Sequence, residues 1–339
     1  MKTKDRIDYI DVLRGIAIVL MIMGHIGFSV PFDKYIHCFH MPIWFFISGY
    51  FFRIRDVSIF PFIKKRIVSL LFPYLFWGIG HYLLWILISY HQGDDIFEPL
   101  VNLFWYNTND KMPIAGALWF LTSLFWTEII AFVLMKIFSN KLFRSIIILI
   151  ISLAGCVLPE YFEIRLPWAL DCSFVGLGFL YFGKLFKDYS DCSFIQKISN
   201  LNYVENFLLI LFNAILCFAN GYINMRKGSY GFVLLFWVNA LTAIIAYWNL
   251  TKNISCLICK YDFEKCLSPL KKIGSNSIIY LCLNQLVILV VSLFIDNSFV
   301  VNYHWIFSRT IKFIIVLPAL YGINLAVNKA KLNKYFGLK

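Results

Sequence analysis

The sequence predicts an all-α protein: a polytopic membrane helix bundle of about ten transmembrane helices with both termini on the cytoplasmic side. Three observations carry that expectation. Of the 339 residues, 60% are hydrophobic and 15% charged, against about 45–50% and about 25% in a soluble domain, and mean hydropathy is +0.72. Apolar stretches long enough to cross a hydrocarbon core of ~30 Å recur along the whole chain. Lysine and arginine gather in alternate connections, which is the pattern that orients membrane helices.

In order, the apolar stretches fall at about 9–30, 36–52, 68–90, 116–135, 145–159, 167–183, 204–222, 229–250, 273–295 and 306–327. With the N-terminus inside, the inner connections hold most of the 31 basic residues. Examples are Arg53, Lys64, Lys65, Arg66, Lys184, Lys187, Lys252, Lys260, Lys271, Lys272 and Lys329. The outer side holds few, among them Lys34, Lys111, Arg165 and Arg226. The net charge of +12 is therefore an orientation signal, and no nucleic-acid partner is expected. The basic start and apolar core of the first 30 residues lack a small-x-small cleavage site, so an uncleaved first span is expected. Nine scattered cysteines, an odd number, argue against a disulfide framework. Cys256-x-x-Cys259 with Cys266 has metal-like spacing but no histidine nearby; reduced thiols are the simpler reading, and no metal is expected. No connection is long enough to bury a core of its own. Residues 1–339 thus read as a single integral-membrane domain, with any chemistry in or at the face of the bundle.

The first span carries the charges that need explaining. In "DVLRGIAIVLMIMGH", residues 11–25, Asp11, Arg14 and His25 interrupt an apolar helix, and an unpaired charge at a helix centre costs about 2.5–3.5 kcal/mol or more. Arg14 and His25 are separated by three helical turns plus about 20°, so they share one stripe, about 16.5 Å apart along the axis. Asp11 stands one turn before Arg14, within reach of an ion pair. Arg14 is then near the cytoplasmic end and His25 in the outer half. The stripe suits an anion at one end and an imidazole at depth; alternatively Arg14 snorkels to the interface and His25 is interhelical glue. His37 and His40 open the second span after a short turn around Pro31-Phe32-Asp33. His40 should enter the outer half where His25 lies, and His37 reads as an interface residue. Ser48-Gly49 reads as a close-packing pair. Glu128, the only acidic residue deep in the fourth span, is a site candidate or the counter-ion of a buried cation such as Arg14. Asn213, Asn239, Asn284 and Gln285 read as interhelical hydrogen-bonders, and Asp171 as near the outer end of span six, facing an outer cavity. Lys64, Lys65 and Arg66 in "SIFPFIKKRIVSL" form either an interfacial helix on anionic lipid or a cationic seat for the phosphates of a cytosolic ligand. These residues alone suit a membrane enzyme, or a transporter of an acyl donor, amino acid or lipid-linked sugar without covalent chemistry.

Five stretches in order, "YIDVLRGIAIVLMIMGH", "FHMPIWFFISGYFF", "FIKKRIVSLLFPYLFW", "ALWFLTSLFW" and "KKIGSNSIIYLCLNQ", resemble the membrane-bound acyltransferase 3 family, with the flavour of its fucose O-acetylase-like branch. The run 112–121, "MPIAGALWFL", looks like that family's Pro- and Gly-containing segment before the fourth span. The resemblance implies a ten-helix bundle in a bacterial cytoplasmic (inner) membrane that takes acetyl groups from cytosolic acetyl-CoA. It implies delivery to a hydroxyl of a cell-surface polysaccharide or its lipid-linked sugar precursor. Carried over, Arg14 would support donor binding, His25 would be the catalytic imidazole, and Arg66, beside Lys64 and Lys65, would be the family's basic residue of the second cytoplasmic segment. Glu128 or His40 would orient His25. Ile63 stands where members often carry a further arginine, and Asn284 where a histidine is frequent.

Overall fold

The computed structural model describes residues 8–54, 58–88, 95–108, 116–295 and 305–338. Lys111 and residues 112–115 of the 112–121 run lie outside the described residues. Helix follows helix from end to end; among the described residues a lone antiparallel bridge, Asn224 with Ser229, is the exception.

Helix α1 spans Asp8–Ile26 and ends where Gly27 takes φ +78° and its N–H returns to the Met23 carbonyl at 3.0 Å, a left-handed cap that a side chain would strain. Ser29 caps α2 (Val30–His37), accepting from the Phe32 N–H at 3.2 Å, with Pro31 in its first turn. After a two-residue break comes α3 (His40–Phe51). α4 (Ile59–Arg66) passes through a π turn at 67–71 into α5 (Phe72–Ile88), and α6 (Phe97–Phe104) is short. Next come α7 (Trp119–Ile137), α8 (Lys141–Phe162), α9 (Leu170–Asp188) and α10 (Ser193–Ile198). α11 (Tyr203–Ala219) starts with an Asn202–Glu205 capping box, which satisfies two otherwise orphaned donors. The chain closes with α12 (Val233–Lys260), α13 (Glu264–Ser275), α14 (Ser277–Ile295) and α15 (Trp305–Lys329).

Each of the ten expected apolar stretches is helical over most of its described residues. Eight helices among the described residues are long and apolar enough to cross a membrane, α4 and α5 counting as one. α11 has 17 residues and α3 only 12, so the expected 36–52 span is corrected to a half-length helix. Asp33, Lys34 and His37 make the preceding turns polar as α2, and the chain bends at Cys38–Phe39 before α3 begins. The expected inner connection at 251–272 is also largely helix: α12 runs on to Lys260, and α13 lies along α1.

Helix α1 stands centrally, touching α3, α12, α13, α14 and α15. Backbones meet where glycines leave room: Gly15 against the Leu270 carbonyl and Gly274 against that of Asp11 join α1 to α13. Gly49 against the Leu180 carbonyl and Gly183 against that of Phe46 join α3 to α9. Small residues allow such approaches where lipid gives no hydrophobic drive for association. Trp248 gathers Tyr9, Phe46 and Phe186 around it at 5.2, 5.7 and 5.3 Å between ring centroids, within the range of edge-to-face attraction. Exposed apolar rows such as Leu142, Ile146, Leu149 and Leu153 on α8 face outward, as lipid contact requires.

Candidate active site

Two cavities flank the middle of α1. The inner cavity, about 360 Å³, is walled by Arg14, Ser48, Arg66, Ser69, Ser275 and Ser277 among others. Arg14 bonds Asp11 at 3.3 Å and lies over the Phe51 ring at 5.1 Å; the one-turn spacing delivers the ion pair expected from the sequence. Arg66 ends α4, just before the π turn that brings Ser69 and Leu70 to the same wall. Its Nε meets Glu128 Oε2 at 2.6 Å, and its guanidinium lies over the Phe62 ring at 5.1 Å. The Ser48 hydroxyl donates to the other oxygen, Oε1, at 2.7 Å.

Glu128 is thus the counter-ion of Arg66, not of Arg14, and it lines neither cavity. The structure gives it no contact with His25, so an orienting role toward that ring is not supported by geometry. Ser48 is part of this polar contact as well as the neighbour of the packing residue Gly49. Lys64 and Lys65 are exposed and outside the cavity wall; Arg14 and Arg66 are the arginines inside it. A further wall comes from Phe336, Gly337 and Leu338. Trp77 Nε1 donates to the Tyr335 carbonyl at 3.1 Å, and Gly337, at φ +66°, lies against the Ser69 carbonyl.

The outer cavity, about 270 Å³, contains His25, Asp33, His37, His40, Trp119, Tyr222, Asn224, Arg226 and Gln285 in its wall. His25 is exposed to it. His40 Nδ1 lies 2.8 Å from the Ile36 carbonyl; a carbonyl only accepts, so the proton sits on Nδ1 and leaves Nε2 as the acceptor. His37 packs edge-on against His40 at 4.9 Å between ring centroids. Its Nδ1 lies 2.8 Å from the Asp33 carbonyl and 3.2 Å from Asp33 Oδ1, and the Tyr222 hydroxyl donates to Oδ2. On this outer connection, burial raises the Asp33 carboxyl, but the bonds from His37 and Tyr222 outweigh it and hold the group below the usual carboxylate range. Burial, reinforced by Asp33, pushes the Tyr222 hydroxyl up.

The structure therefore brings His25 and His40 together as expected, and corrects His37 from an interface residue to a cavity wall. Tyr222, Asn224 and Arg226 sit on the bridged hairpin after α11, where alternate residues share a side. Buried Asp171 does not face the cavity: it pairs with Arg165 at 2.7 Å, and Arg165 also holds the Arg226 carbonyl at 2.8 Å, pinning the hairpin. Gln285 accepts from the Ala117 N–H at 3.0 Å while lining the cavity. Asn213 bonds the Asn239 carbonyl at 3.1 Å, interhelical as expected, whereas Asn284 bonds within its own helix.

Met21, Met41 and Leu281 belong to both walls. The stripe Arg14, Ile18, Met21, His25 accordingly runs from one cavity to the other along α1. Two arginines and an imidazole stand on opposite sides of an apolar constriction.

Comparisons with known proteins identify the family of the chain. A family profile described as "Acyltransferase domain", of the acyltransferase 3 type, matches residues 7–328. The chain is 29% identical over 187 residues to nodulation protein NolL of Mesorhizobium japonicum, covering 50% of this chain and 46% of that protein. It is 28% identical over 189 residues to nodulation protein NolL of Sinorhizobium fredii, covering 50% and 47%. The chain thus spans about half the length of the curated relatives it matches. With eight membrane-length helices among its described residues and a family match over nearly its whole length, the chain belongs to the membrane-bound acyltransferase 3 family.

Proposed function

We propose that this protein transfers an acetyl group from cytosolic acetyl-CoA to a hydroxyl of a cell-surface polysaccharide or of its lipid-linked sugar precursor. The observation that carries the reading is the pair of cavities meeting at Met21, Met41 and Leu281, with Arg14 and Arg66 on one side and His25 on the other. The donor's phosphates are seated at the inner face, where Arg14, Arg66 and the nearby Lys64 and Lys65 raise the local anion concentration. Its thioester arm reaches along α1 to the constriction. A sugar fits the outer cavity, whose wall mixes Trp119 with hydroxyl, amide and imidazole groups.

In this reaction His25 accepts the proton of the sugar hydroxyl as its oxygen attacks the thioester carbonyl. The carbon–sulfur bond breaks, the acetyl group stays on the sugar oxygen, and the coenzyme leaves as a thiolate that takes up a proton. His40, with Nε2 free to accept, and His37 are the other imidazoles within the cavity. The site is that of a bacterial cytoplasmic-membrane enzyme whose donor and acceptor arrive from opposite faces.

Mass spectrometry of the host's surface glycan tests the reading, with wild type and His25→Ala held at matched membrane levels. An acetyl mass increment present with wild type and absent with His25→Ala is the expected result. Acceptor flux across vesicles without any covalent change would favour transport and overturn it.

A further inference from the structure

The pair of cysteines behind the outer cavity supports a modification independent of the transfer reaction. Cys38 follows α2, and Cys217 lies in the last turn of α11. Both are fully buried, and their sulfurs are 2.8 Å apart. Both thiols also point at one acceptor, the Lys34 carbonyl, at 3.2 and 3.4 Å. The surroundings hold the two segments in register: Lys34 Nζ donates to the Phe218 carbonyl at 3.3 Å, and the Tyr222 hydroxyl, just past α11, donates to Asp33. Two thiols this close crowd each other, and a covalent bond of about 2.05 Å needs a movement of less than an ångström. In the N-inside orientation this pair lies at the outer side, where disulfides form and persist in bacteria.

We infer that Cys38 and Cys217 are joined by a disulfide that staples α2, and with it Asp33 and His37, to α11. Formation is a thiol–disulfide exchange with an external protein disulfide as oxidant. The Cys38 thiolate attacks one sulfur of that disulfide and releases the other as a thiolate. The Cys217 thiolate then attacks Cys38 Sγ, the new bond forms, and the second donor sulfur leaves. The two protein thiols are oxidised, the donor disulfide is reduced to two thiols, and it takes up the two protons. Because both sulfurs are buried in the finished fold, the exchange belongs to assembly, before α2 closes on α11. Once formed, the bond is shielded from reductants.

The test is a thiol count on the full chain in native membranes, quenched with iodoacetamide and then denatured, alkylated again and analysed by mass spectrometry with and without prior reduction. The expected result is that all but two of the nine cysteines are alkylated before reduction and all nine after it. A Cys38–Cys217 cross-linked peptide, lighter than its two parts by two hydrogens, should appear in the unreduced sample. Mild reductant applied to folded protein should leave that peptide intact, whereas the same reductant in denaturant should abolish it. Cys217→Ser should expose Cys38 to alkylation without reduction; the count is taken on denatured chain, so it does not depend on how well the variant folds. Nine alkylated cysteines in unreduced wild type, a cross-link from Cys38 to any other cysteine, or an intermolecular link would each overturn the inference.

Discussion

The contact between Arg66 and Glu128 makes a sharp prediction about stability. At 2.6 Å and an effective dielectric of about 20, the Coulomb attraction of the pair is about 6 kcal/mol, most of it offset by taking both charges out of water. The approach is a charge contact rather than a linear hydrogen bond, which places the pair below the best bidentate geometry. The two partners differ in burial: Glu128 is 4% exposed, whereas the Arg66 side chain keeps 23% of its surface open beside the inner cavity. Arg66→Met therefore strands a buried charge and should cost about 4 kcal/mol. Glu128→Gln leaves an arginine that turns toward cavity water and should cost about 2 kcal/mol. The double variant Arg66→Met/Glu128→Met removes both charges and orphans only the Ser48 hydroxyl, about 1 kcal/mol. Thermal unfolding in detergent reads the series, at about 1–2 °C per kcal/mol for a chain of 339 residues. Arg66→Met should fall by about 6 °C and the double variant by much less. A double variant that melts at or below Arg66→Met would refute the reasoning, because the two side chains would then be acting independently.

Three further outcomes follow from the geometry. A Cβ on Gly49 would overlap the Leu180 carbonyl, whereas one on Gly322 in α15 meets nothing within 4 Å. Gly49→Ala should therefore lower the melting temperature by the equivalent of about 1–3 kcal/mol of overpacking, and Gly322→Ala should raise it slightly, by up to about 1 kcal/mol of helix propensity. Asp33 has its carboxyl held below its ordinary value of 3.8 in the folded protein. That stabilisation is complete above the unfolded value and is lost as pH falls through the lower, folded one. Melting temperature measured from pH 6 downward should thus decline on the acid side in wild type and decline less in Asp33→Asn. Finally, Met21→Trp should fill the constriction shared by the two cavities. Under the proposed reaction it should lower acetyl transfer at least ~10-fold while coenzyme A binding, followed by calorimetry, stays near wild type; equal loss of both would place Met21 in the donor seat.

Much of the candidate site was legible because it lies on one helix. The spacing of Arg14 and His25 is fixed by the 3.6-residue period alone, so their common stripe follows without any tertiary contact. The one-turn partner Asp11 was legible for the same reason. His37 was misjudged because Pro31 suggested a turn. Ser29 before a first-turn proline is in fact a helix-start signal, and the helix it starts puts Asp33 and His37 one turn apart. The second span was overestimated because hydropathy counts apolar residues without registering the bend at Cys38–Phe39. The partner of Glu128 was not legible: Arg66 is 62 positions away, and only the packing of α4 and its π turn against α7 selects it over Arg14. Tyr222, Arg226, Gln285 and the 336–338 wall reach the cavities through contacts of still longer range, for which no local period exists.

The arrangement of charge along α1 has a consequence for the proposed chemistry. Arg14 and Asp11 sit at one end of the stripe and His25 at the other, and among the described residues the wall shared between them is Met21, Met41 and Leu281. A phosphate crossing that gap would lose its counter-ions and its water together, at a cost far above thermal energy. A thioester carries no net charge and meets soft, adaptable methionine side chains there. Under the proposed reaction the constriction would select by charge, admitting the acyl end of the donor and retaining its anionic end beside Arg14 and Arg66. Under the same reaction it would keep bulk water from the thioester until a hydroxyl stands at His25, so a dry gap between two polar cavities would favour transfer over hydrolysis. Replacing Met41 by a charged residue should invert that preference, raising hydrolysis of the donor relative to transfer even where donor binding is unchanged.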